Sequence, residues 1–221
     1  MSSYEEQRRR MVADQLQARG LNDERVLAAF HRVPRHEFVP PDLREQAYTD
    51  HPLPIGASQT ISQPYIAALM TAALQLQGHE QVLEIGTGSG YQAAILSELA
   101  LEVYSVELIP ELLDAARLRL AALGYLNVHL SVANGSLGWP AHAPYDAILV
   151  TAAAPQVPEP LLAQLADPGR LVLPIGRAEA QTLTLVSKDR GTVRQAPLTS
   201  CVFVPLLGRY GWPSEPGAAR S

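Results

Sequence analysis

The sequence predicts an α/β fold in which a mostly parallel sheet is covered by helices on both faces. Residues 82–90 read as a buried strand that ends in a loop with glycine at every second position. A helix-competent run, residues 91–100, follows directly, which is the strand, loop, helix order of a nucleotide-binding half-sheet. Strands and helices then continue to alternate as far as residue 174, and this alternation is typical of parallel sheets.

Two helices are expected before the sheet begins. Ser3, followed three residues later by a glutamate, has the spacing of a capping box and predicts a helix over residues 4–19. Asn22 or Asp23 can cap a second helix, which should stop before Pro34 because the residue preceding a proline disfavours helix. These elements form an N-terminal helical addition to the sheet.

Residues 34–64 contain six prolines at irregular spacing, which predicts an ordered segment rich in loops. Pro64 then begins a helix that Gly78 is expected to close. The apolar face predicted for this helix consists of Ile66, Leu69, Met70 and Ala73.

The other elements follow from apolar runs bounded by turn residues. Strands are predicted over 81–85, 102–106, 128–132, 146–151 and 170–174, and helices over 91–100, 110–123 and 158–166. Residues 181–188 and 193–204 are rich in β-forming residues with no helix between them, so an antiparallel hairpin should finish the sheet. Residues 208–221, rich in Gly, Pro and Arg, are expected to be held loosely.

Composition narrows the class of protein. At 221 residues with 47% hydrophobic and 18% charged residues, the chain suits one globular domain. The net charge of −5 argues against a nucleic-acid-binding surface. Cys201 is the single cysteine, which excludes an internal disulfide and a thiolate metal cluster. The charged N-terminus resembles neither a signal peptide nor a membrane anchor, so a cytoplasmic location without membrane contact is expected.

The glycine loop predicts a bound adenosine cofactor. Gly86, Gly88 and Gly90 lack Cβ atoms, which lets a ligand lie against the backbone, although such patterns also occur in plain strand-to-helix turns. Glu107 ends the next strand, where it can accept hydrogen bonds from ribose hydroxyls or remain a solvated carboxylate. Asn134 and Gly135 follow the third strand and could contact the adenine edge or form a simple turn.

The charge beside the loop favours S-adenosylmethionine over a dinucleotide. Nicotinamide and flavin sites use the Gly-x-Gly-x-x-Gly spacing, whereas this loop has Gly-x-Gly-x-Gly. Glu84 precedes the loop, where a carboxylate would repel a diphosphate but suits a ligand with a sulfonium or ammonium group. These two features favour a methyltransferase over a dehydrogenase.

Seven blocks of sequence together resemble one family, the protein-L-isoaspartate O-methyltransferases. They are residues 32–40, 52–56, 59–64, 82–92, 143–148, 150–153 and 203–206. The block at 59–64, Gln-Thr-Ile-Ser-Gln-Pro, is the most specific. Two positions depart from the family pattern: Asn134 stands where an aspartate is usual, and Pro168-Gly169 replaces a Gly-Gly pair. An amide at 134 can still form hydrogen bonds but carries no charge, so cofactor affinity is affected more than cofactor identity.

The resemblance implies a Rossmann-like class I methyltransferase fold and a repair reaction. A methyl group would move from S-adenosylmethionine to the free α-carboxylate of L-isoaspartyl residues in damaged proteins and peptides, giving a methyl ester and S-adenosylhomocysteine. The whole chain, 1–221, would be one domain and act as a monomer. Residues 1–78 would form the N-terminal helices and proline-rich substrate lid, 79–207 the cofactor-binding sheet, and 208–221 a loose tail. Methyltransferases acting on RNA or small molecules, and a cofactor-binding protein without catalysis, are the alternatives.

Ser62 is the candidate catalytic residue. A carboxylate is already ionised near neutral pH, so its methylation needs orientation and exclusion of water rather than a general base or a metal. A hydroxyl suits this task, although a serine two residues before Pro64 is equally a natural helix cap. The resemblance assigns Ser62 to the active site and places Gln59, Thr60 and Ile61 around the substrate.

Overall fold

The computed structural model describes residues 2–213 and contains a seven-stranded sheet in the order β5-β4-β3-β6-β7-β8-β9. The first five strands in this order are parallel, and β7, β8 and β9 pair antiparallel. A separate two-stranded hairpin, β1-β2, lies in the N-terminal part. The predicted mostly parallel sheet with a C-terminal antiparallel hairpin is therefore confirmed.

The α-helices are α1 Tyr4–Arg10, α2 Glu24–Arg32, α3 Pro64–Leu74, α4 Tyr91–Ser97, α5 Pro110–Ala122 and α6 Glu159–Gln164. The strands are β1 Leu53–Gly56, β2 Gln59–Ile61, β3 Gln81–Ile85, β4 Glu102–Glu107, β5 Val128–Val132, β6 Tyr145–Val150, β7 Leu165–Arg177, β8 Ala180–Asp189 and β9 Thr192–Cys201. Across residues 2–213, no helix has the length and apolar character needed to cross a membrane.

The N-terminal helices begin where the caps predict. The Ser3 Oγ accepts a hydrogen bond from the Glu6 backbone N–H at 3.2 Å, and the Asp23 carboxylate caps α2. After α1 the chain continues as a π-helical turn and a short 3₁₀ turn, until Gly20 at φ 90° ends it. The helix over residues 4–19 therefore exists, but it is irregular over its second half.

Residues 34–64 are rich in loops, as the prolines predict. They form two 3₁₀ turns, Arg35–Phe38 and Pro41–Gln46, followed by the β1-β2 hairpin. The hairpin was not predicted, because three- and four-residue strands leave too short a pattern to detect.

Helix α3 differs from its prediction in two respects. It ends at Leu74, with Gln75 in the left-handed conformation at φ 53°, so Gly78 does not close it. Its buried side chains include Ala67, Met70, Thr71 and Leu74, and of the predicted face only Met70 is fully buried. The helix is apolar on nearly all sides, so its pattern does not define which face is buried.

Helices cover both faces of the sheet, as predicted. Val82 of β3 joins the cluster formed with the N-terminal helices and with α3, α4 and α5. Leu83 and Ile85, which alternate with Val82 along the strand, join the cluster on the opposite face with Leu161 of α6. Most of the hydrophobic core therefore lies on the face that carries the N-terminal addition.

Residues 208–213, the described part of the C-terminal tail that is predicted to be loose, make hydrogen bonds to one another and to neighbouring residues. The Gly208 N–H donates to the Trp212 carbonyl at 2.9 Å, and the Trp212 N–H donates to the Leu206 carbonyl at 2.7 Å. The Tyr210 N–H also donates to the Ser136 Oγ at 3.3 Å. The remainder of the predicted tail, residues 214–221, lies outside the described residues.

Candidate active site

A cleft opens at the carboxyl ends of the central parallel strands. From β3 the chain adds β4 and β5 on one side and β6 and β7 on the other, so the cleft lies at the topological switch point of the sheet. It encloses about 900 Å³, including the space at its mouth. Its walls come from the loops after β3, β4, β5 and β6, from residues 59–62 and from residues 204–207.

The glycine loop after β3 forms the floor of the cleft. Gly86 adopts φ 93°, and a Cβ there would lie 2.3 Å from the Thr151 Oγ1. That hydroxyl donates to the carbonyls of Ile85 at 3.0 Å and Gly86 at 2.8 Å, which fixes the end of β3 against β6. Gly88 also has positive φ, 52°, a conformation that glycine adopts most readily, and it leaves bare backbone in the cleft wall.

Glu107 ends β4 and lies in the cleft wall, as predicted. Its Oε2 accepts a hydrogen bond from the Gly88 N–H at 2.8 Å, and its Oε1 accepts from the N–H groups of Leu108 and Ile109 at 2.8 and 3.0 Å. A carboxylate has about four acceptor sites, so about one remains for a ligand hydroxyl. Glu107 therefore links the glycine loop to the end of β4 as well as facing the cleft.

Glu84 does not line the cleft, although it was predicted to bind the cofactor. It is fully buried one residue before the end of β3, and one carboxylate oxygen accepts a hydrogen bond from the Ser105 Oγ. Ser105 in turn lies 2.6 Å from the Thr87 Oγ1, which is part of the glycine loop and of the cleft wall. Burial, opposed by the Ser105 hydrogen bond and assisted by the charge of Glu107, raises the pKa of Glu84 to about 8. Glu84 therefore supports the loop from behind.

Gly90 and Asn134 are two further predicted cofactor residues that lie outside the cleft wall. Gly90 begins α4, where a Cβ would contact Ala116 of α5. The Asn134 Oδ1 accepts from the Ser136 N–H at 3.0 Å and from its hydroxyl at 2.8 Å, which caps a 3₁₀ turn. The structure thus gives Asn134 the turn-forming role that was the alternative for the Asn-Gly pair.

Gly135, in contrast, lies in the cleft wall. A Cβ at this position would lie 2.4 Å from the Cγ2 of Ile85, which also lines the cleft. The absence of a side chain therefore keeps the space above the sheet open. A planar ring could enter there, since the neighbouring walls are formed by Val106, Ile109 and Leu206.

Gln59, Thr60, Ile61 and Ser62 all line the same cleft as the glycine loop, as predicted. The cap position of α3 is occupied by Gln63, whose side chain makes no capping bond, so Ser62 does not cap this helix. Within residues 2–213, the Ser62 hydroxyl makes no hydrogen bond to another residue. This hydroxyl is therefore free to bind a ligand in the cleft.

Thr151 and residues 204–207 are cleft residues that the sequence analysis did not identify. The 204–207 segment returns to the sheet after β9, where the Leu206 N–H donates to the Ala153 carbonyl at 2.7 Å. The blocks 150–153 and 203–206 were the available signal, since they belong to the family pattern but had no assigned role. Because β6 pairs with β3, the block 150–153 at the end of β6 lies beside the glycine loop.

The residues of the cleft fit S-adenosylmethionine. Glu107 is the only charged residue among those that line the described part of the cleft, so a cationic ligand is favoured there. The glycine loop and Gly135 leave bare backbone, and the apolar residues of β3 and β4 provide a surface for an aromatic ring. Among residues 2–213, no group of three or more His, Cys, Asp or Glu side chains is arranged to hold a metal ion.

The sheet order and the glycine loop at its switch point define the fold of the class I methyltransferases. The family model for protein-L-isoaspartate(D-aspartate) O-methyltransferase matches residues 6–211. The chain belongs to this family.

Two similar proteins named protein-L-isoaspartate O-methyltransferase span almost the whole chain. Protein-L-isoaspartate O-methyltransferase 1 of Syntrophobacter fumaroxidans is 56% identical over 96% of this chain and 99% of its own length. The Methanoculleus marisnigri enzyme is 54% identical over 95% of each chain.

Solved structures support the same fold. A protein-L-isoaspartate O-methyltransferase structure superimposes with a TM-score of 0.82 at 30% identity, covering 92% of this chain and 67% of that one. A Plasmodium falciparum structure in complex with S-adenosyl-L-homocysteine has a TM-score of 0.79 at 22% identity, covering 94% of this chain and 99% of that one. At that identity, the second likeness bears on the fold alone.

Proposed function

We propose that the protein is a repair methyltransferase that esterifies the free α-carboxylate of L-isoaspartyl residues in damaged proteins and peptides. Family membership over residues 6–211 supports the reaction class. The observation that carries the proposal is that residues 59–62 line the same cleft as the glycine loop and Glu107. A substrate group held by this segment would thus meet a cofactor held by the loop.

The glycine loop, Glu107 and Gly135 are the residues that would hold S-adenosylmethionine. When bound, this cofactor supplies an electrophilic methyl group on a sulfonium, and methyl transfer to a carboxylate oxygen yields the methyl ester and S-adenosylhomocysteine. Glu107 can accept a ribose hydroxyl while its other acceptor sites hold the loop. Gly135 keeps the ring-binding space free of side-chain atoms.

Ser62 is proposed to orient the substrate carboxylate. Its hydroxyl can donate one hydrogen bond to a carboxylate oxygen and leave the other oxygen free to attack the methyl carbon. No lysine or arginine lines the described cleft, so the attacking oxygen is not held in a strong ion pair that would stabilise the ground state. Residues 59–62 and 204–207, which line the cleft, are proposed to exclude water from the reacting groups once substrate is bound.

The same features support the remaining parts of the proposal. The protein is proposed to act as a monomer. Residues 34–64 are proposed to act as the substrate lid and residues 79–207 as the cofactor-binding sheet. The net charge of −5 supports peptide rather than nucleic-acid substrates, and a single cysteine suits the reducing cytoplasm.

One assay tests the reaction. The protein is incubated with radiolabelled S-adenosylmethionine and an isoaspartyl peptide, beside the same peptide with a normal aspartyl residue. We expect base-labile label on the isoaspartyl peptide alone. Binding of the cofactor without label on either peptide would contradict the repair reaction and favour a binding protein without catalysis.

A substitution tests the role of Ser62. A hydrogen bond to a charged group contributes about 1.5–3 kcal/mol, so Ser62→Ala should lower kcat/KM for the isoaspartyl peptide about 10- to 100-fold. Cofactor affinity, measured by calorimetry, should change much less. Ser58→Ala is the matched control, because Ser58 lies exposed in the turn of the same hairpin, outside the cleft wall. An unchanged kcat/KM in Ser62→Ala would remove Ser62 from the mechanism.

A further inference from the structure

Asp50 lies outside the cleft wall but holds the residue that follows Ser62. Its Oδ2 accepts a hydrogen bond from the Gln63 Nε2 at 2.8 Å. The same oxygen accepts from the Arg19 Nη1 at 2.9 Å, which brings the end of the N-terminal helical run to this point. Asp50 therefore joins three segments: residues 17–19, the lid and the start of α3.

The start of α3 depends on this aspartate. Gln63 occupies the cap position without making a side-chain capping bond, and Pro64 has no backbone N–H. The first N–H of the helix belongs to Tyr65, and the Asp50 Oδ1 accepts from it at 3.5 Å. The Arg19 guanidinium lies 3.3 Å from the centre of the Tyr65 ring, so Arg19 contacts both Asp50 and the helix.

Ser62 is the single residue between two fixed points. On one side, Ile61 is the last residue of β2 and pairs with Leu53 in the hairpin. On the other side, Gln63 is held by Asp50. The backbone position of Ser62, from which its side chain extends, therefore depends on both ends, since only one pair of backbone dihedral angles separates them.

The ion pair also sets the charge near the substrate. Arg19 neutralises Asp50, so a substrate carboxylate approaching Ser62 does not face an unpaired negative charge. The side chains of Arg19 and Asp50 are 44% and 29% exposed, and pairs this exposed contribute little to stability. Their arrangement is therefore better explained by the position they impose than by folding energy.

We propose that Asp50 is a positioning residue for the methyl transfer, which acts by fixing Gln63 and the start of α3 so that the Ser62 hydroxyl points at the substrate carboxylate. This inference rests on the proposed role of Ser62. It predicts that loss of Asp50 affects the use of the peptide and leaves cofactor binding intact, because within residues 2–213 none of the hydrogen bonds of Asp50 reaches the glycine loop, Glu107 or Gly135.

The test compares Asp50→Ala in the wild-type enzyme and in the Ser62→Ala enzyme. In the wild-type background we expect kcat/KM for an isoaspartyl peptide to fall about tenfold, while the Kd for S-adenosylhomocysteine changes less than twofold. In the Ser62→Ala background the same substitution should change kcat/KM less than twofold, because there is no hydroxyl left to position. Equal losses in the two backgrounds would show that Asp50 acts independently of Ser62 and would overturn the inference.

Two further variants keep the test decisive. Asp50→Asn retains an acceptor oxygen for Gln63, so its kcat/KM should lie between those of Asp50→Ala and the wild type. If Asp50→Ala does not fold, Asp50→Asn is used in its place in both backgrounds. Asp114→Asn is the matched control, because Asp114 pairs with Arg117 on the surface of α5, and its activity should remain at the wild-type level. Wild-type rates in both Asp50 variants would overturn the inference.

Failure of the proposed function gives a different result. A wild-type enzyme that methylates neither peptide would contradict the repair reaction, and a fully active Ser62→Ala enzyme would contradict the role of Ser62. Normal behaviour of both enzymes together with fully active Asp50 variants would contradict only the positioning role.

Discussion

Glu84→Gln should remove a pH-dependent loss of stability. Burial first, and then repulsion from Glu107, raise the pKa of Glu84 from 4.5 to about 8, against the lowering effect of the Ser105 hydrogen bond. The folded state therefore binds the proton of the Glu84 carboxyl more tightly than the unfolded state does. The stabilisation that results is fully present below pH 4.5. It is lost progressively as the pH rises towards about 8.

The expected change in the free energy of unfolding follows from the difference in bound protons, because Glu84 holds one proton in the folded state and none in the unfolded state at these pH values. Between the two pKa values, this difference changes the free energy of unfolding by about 1.4 kcal/mol per pH unit. The wild-type protein should therefore lose about 3 kcal/mol relative to Glu84→Gln between pH 5 and pH 7.5. Glutamine has nearly the same shape and can still accept from Ser105, but it does not titrate.

Urea unfolding of both proteins at several pH values measures this difference. The difference in free energy of unfolding between the two proteins is plotted against pH, and its slope is compared with the expected value. The slope is informative because the other titrating groups are present in both proteins, and any destabilisation by the amide itself does not depend on pH. A difference that stays constant from pH 5 to pH 7.5 would refute the assignment of a raised pKa to Glu84.

Two further substitutions have distinct expected outcomes. For Glu80, burial would raise the pKa, but hydrogen bonds from the N–H groups of Gln77 and Gly78 outweigh it and lower the pKa. The free energy of unfolding, measured with urea, should therefore be about 1–3 kcal/mol higher for the wild type than for Glu80→Gln at neutral pH. This difference should disappear as the pH falls through 4.5 and below. A difference that does not depend on pH would contradict the lowered pKa. Gly135→Ala places a Cβ 2.4 Å from the Ile85 Cγ2, so calorimetry should show about tenfold weaker binding of S-adenosylhomocysteine, and unchanged affinity would show that Ile85 moves without affecting the cleft.

The sheet was predictable because each strand carries its own signal. β3 and β5 were predicted with their observed bounds, and the absence of a helix between the last two β-rich runs correctly indicated an antiparallel hairpin. The orientation of α3 was not predictable, since an apolar residue occupies nearly every position of that helix and the pattern defines no face. Tertiary packing of the small residues, not hydrophobic periodicity, determines which side is buried.

The two glutamates near the glycine loop differ in how far each lies from the carboxyl edge of the sheet. Glu107 is the last residue of β4, so its side chain reaches the edge of the sheet and the cleft. Glu84 lies one residue before the end of β3, and its side chain is enclosed on a face of the sheet. Glu84 pairs with Ser105 in the sheet, so Glu107 lies two residues further towards the carboxyl edge on the same face, and this offset decides which carboxylate a ligand can touch.

The burial of Glu84 affects the charge that a sulfonium cofactor and a carboxylate substrate would meet in the cleft. A cleft with two ionised glutamates at its base would attract a sulfonium but repel the substrate carboxylate that has to reach it. With its pKa raised to about 8, Glu84 is mostly neutral at pH 7, and Glu107 is the charged residue that faces the cleft. The site therefore keeps one negative charge for a cationic cofactor. Ser62, which lines the same cleft, offers an uncharged hydroxyl for the proposed anionic substrate.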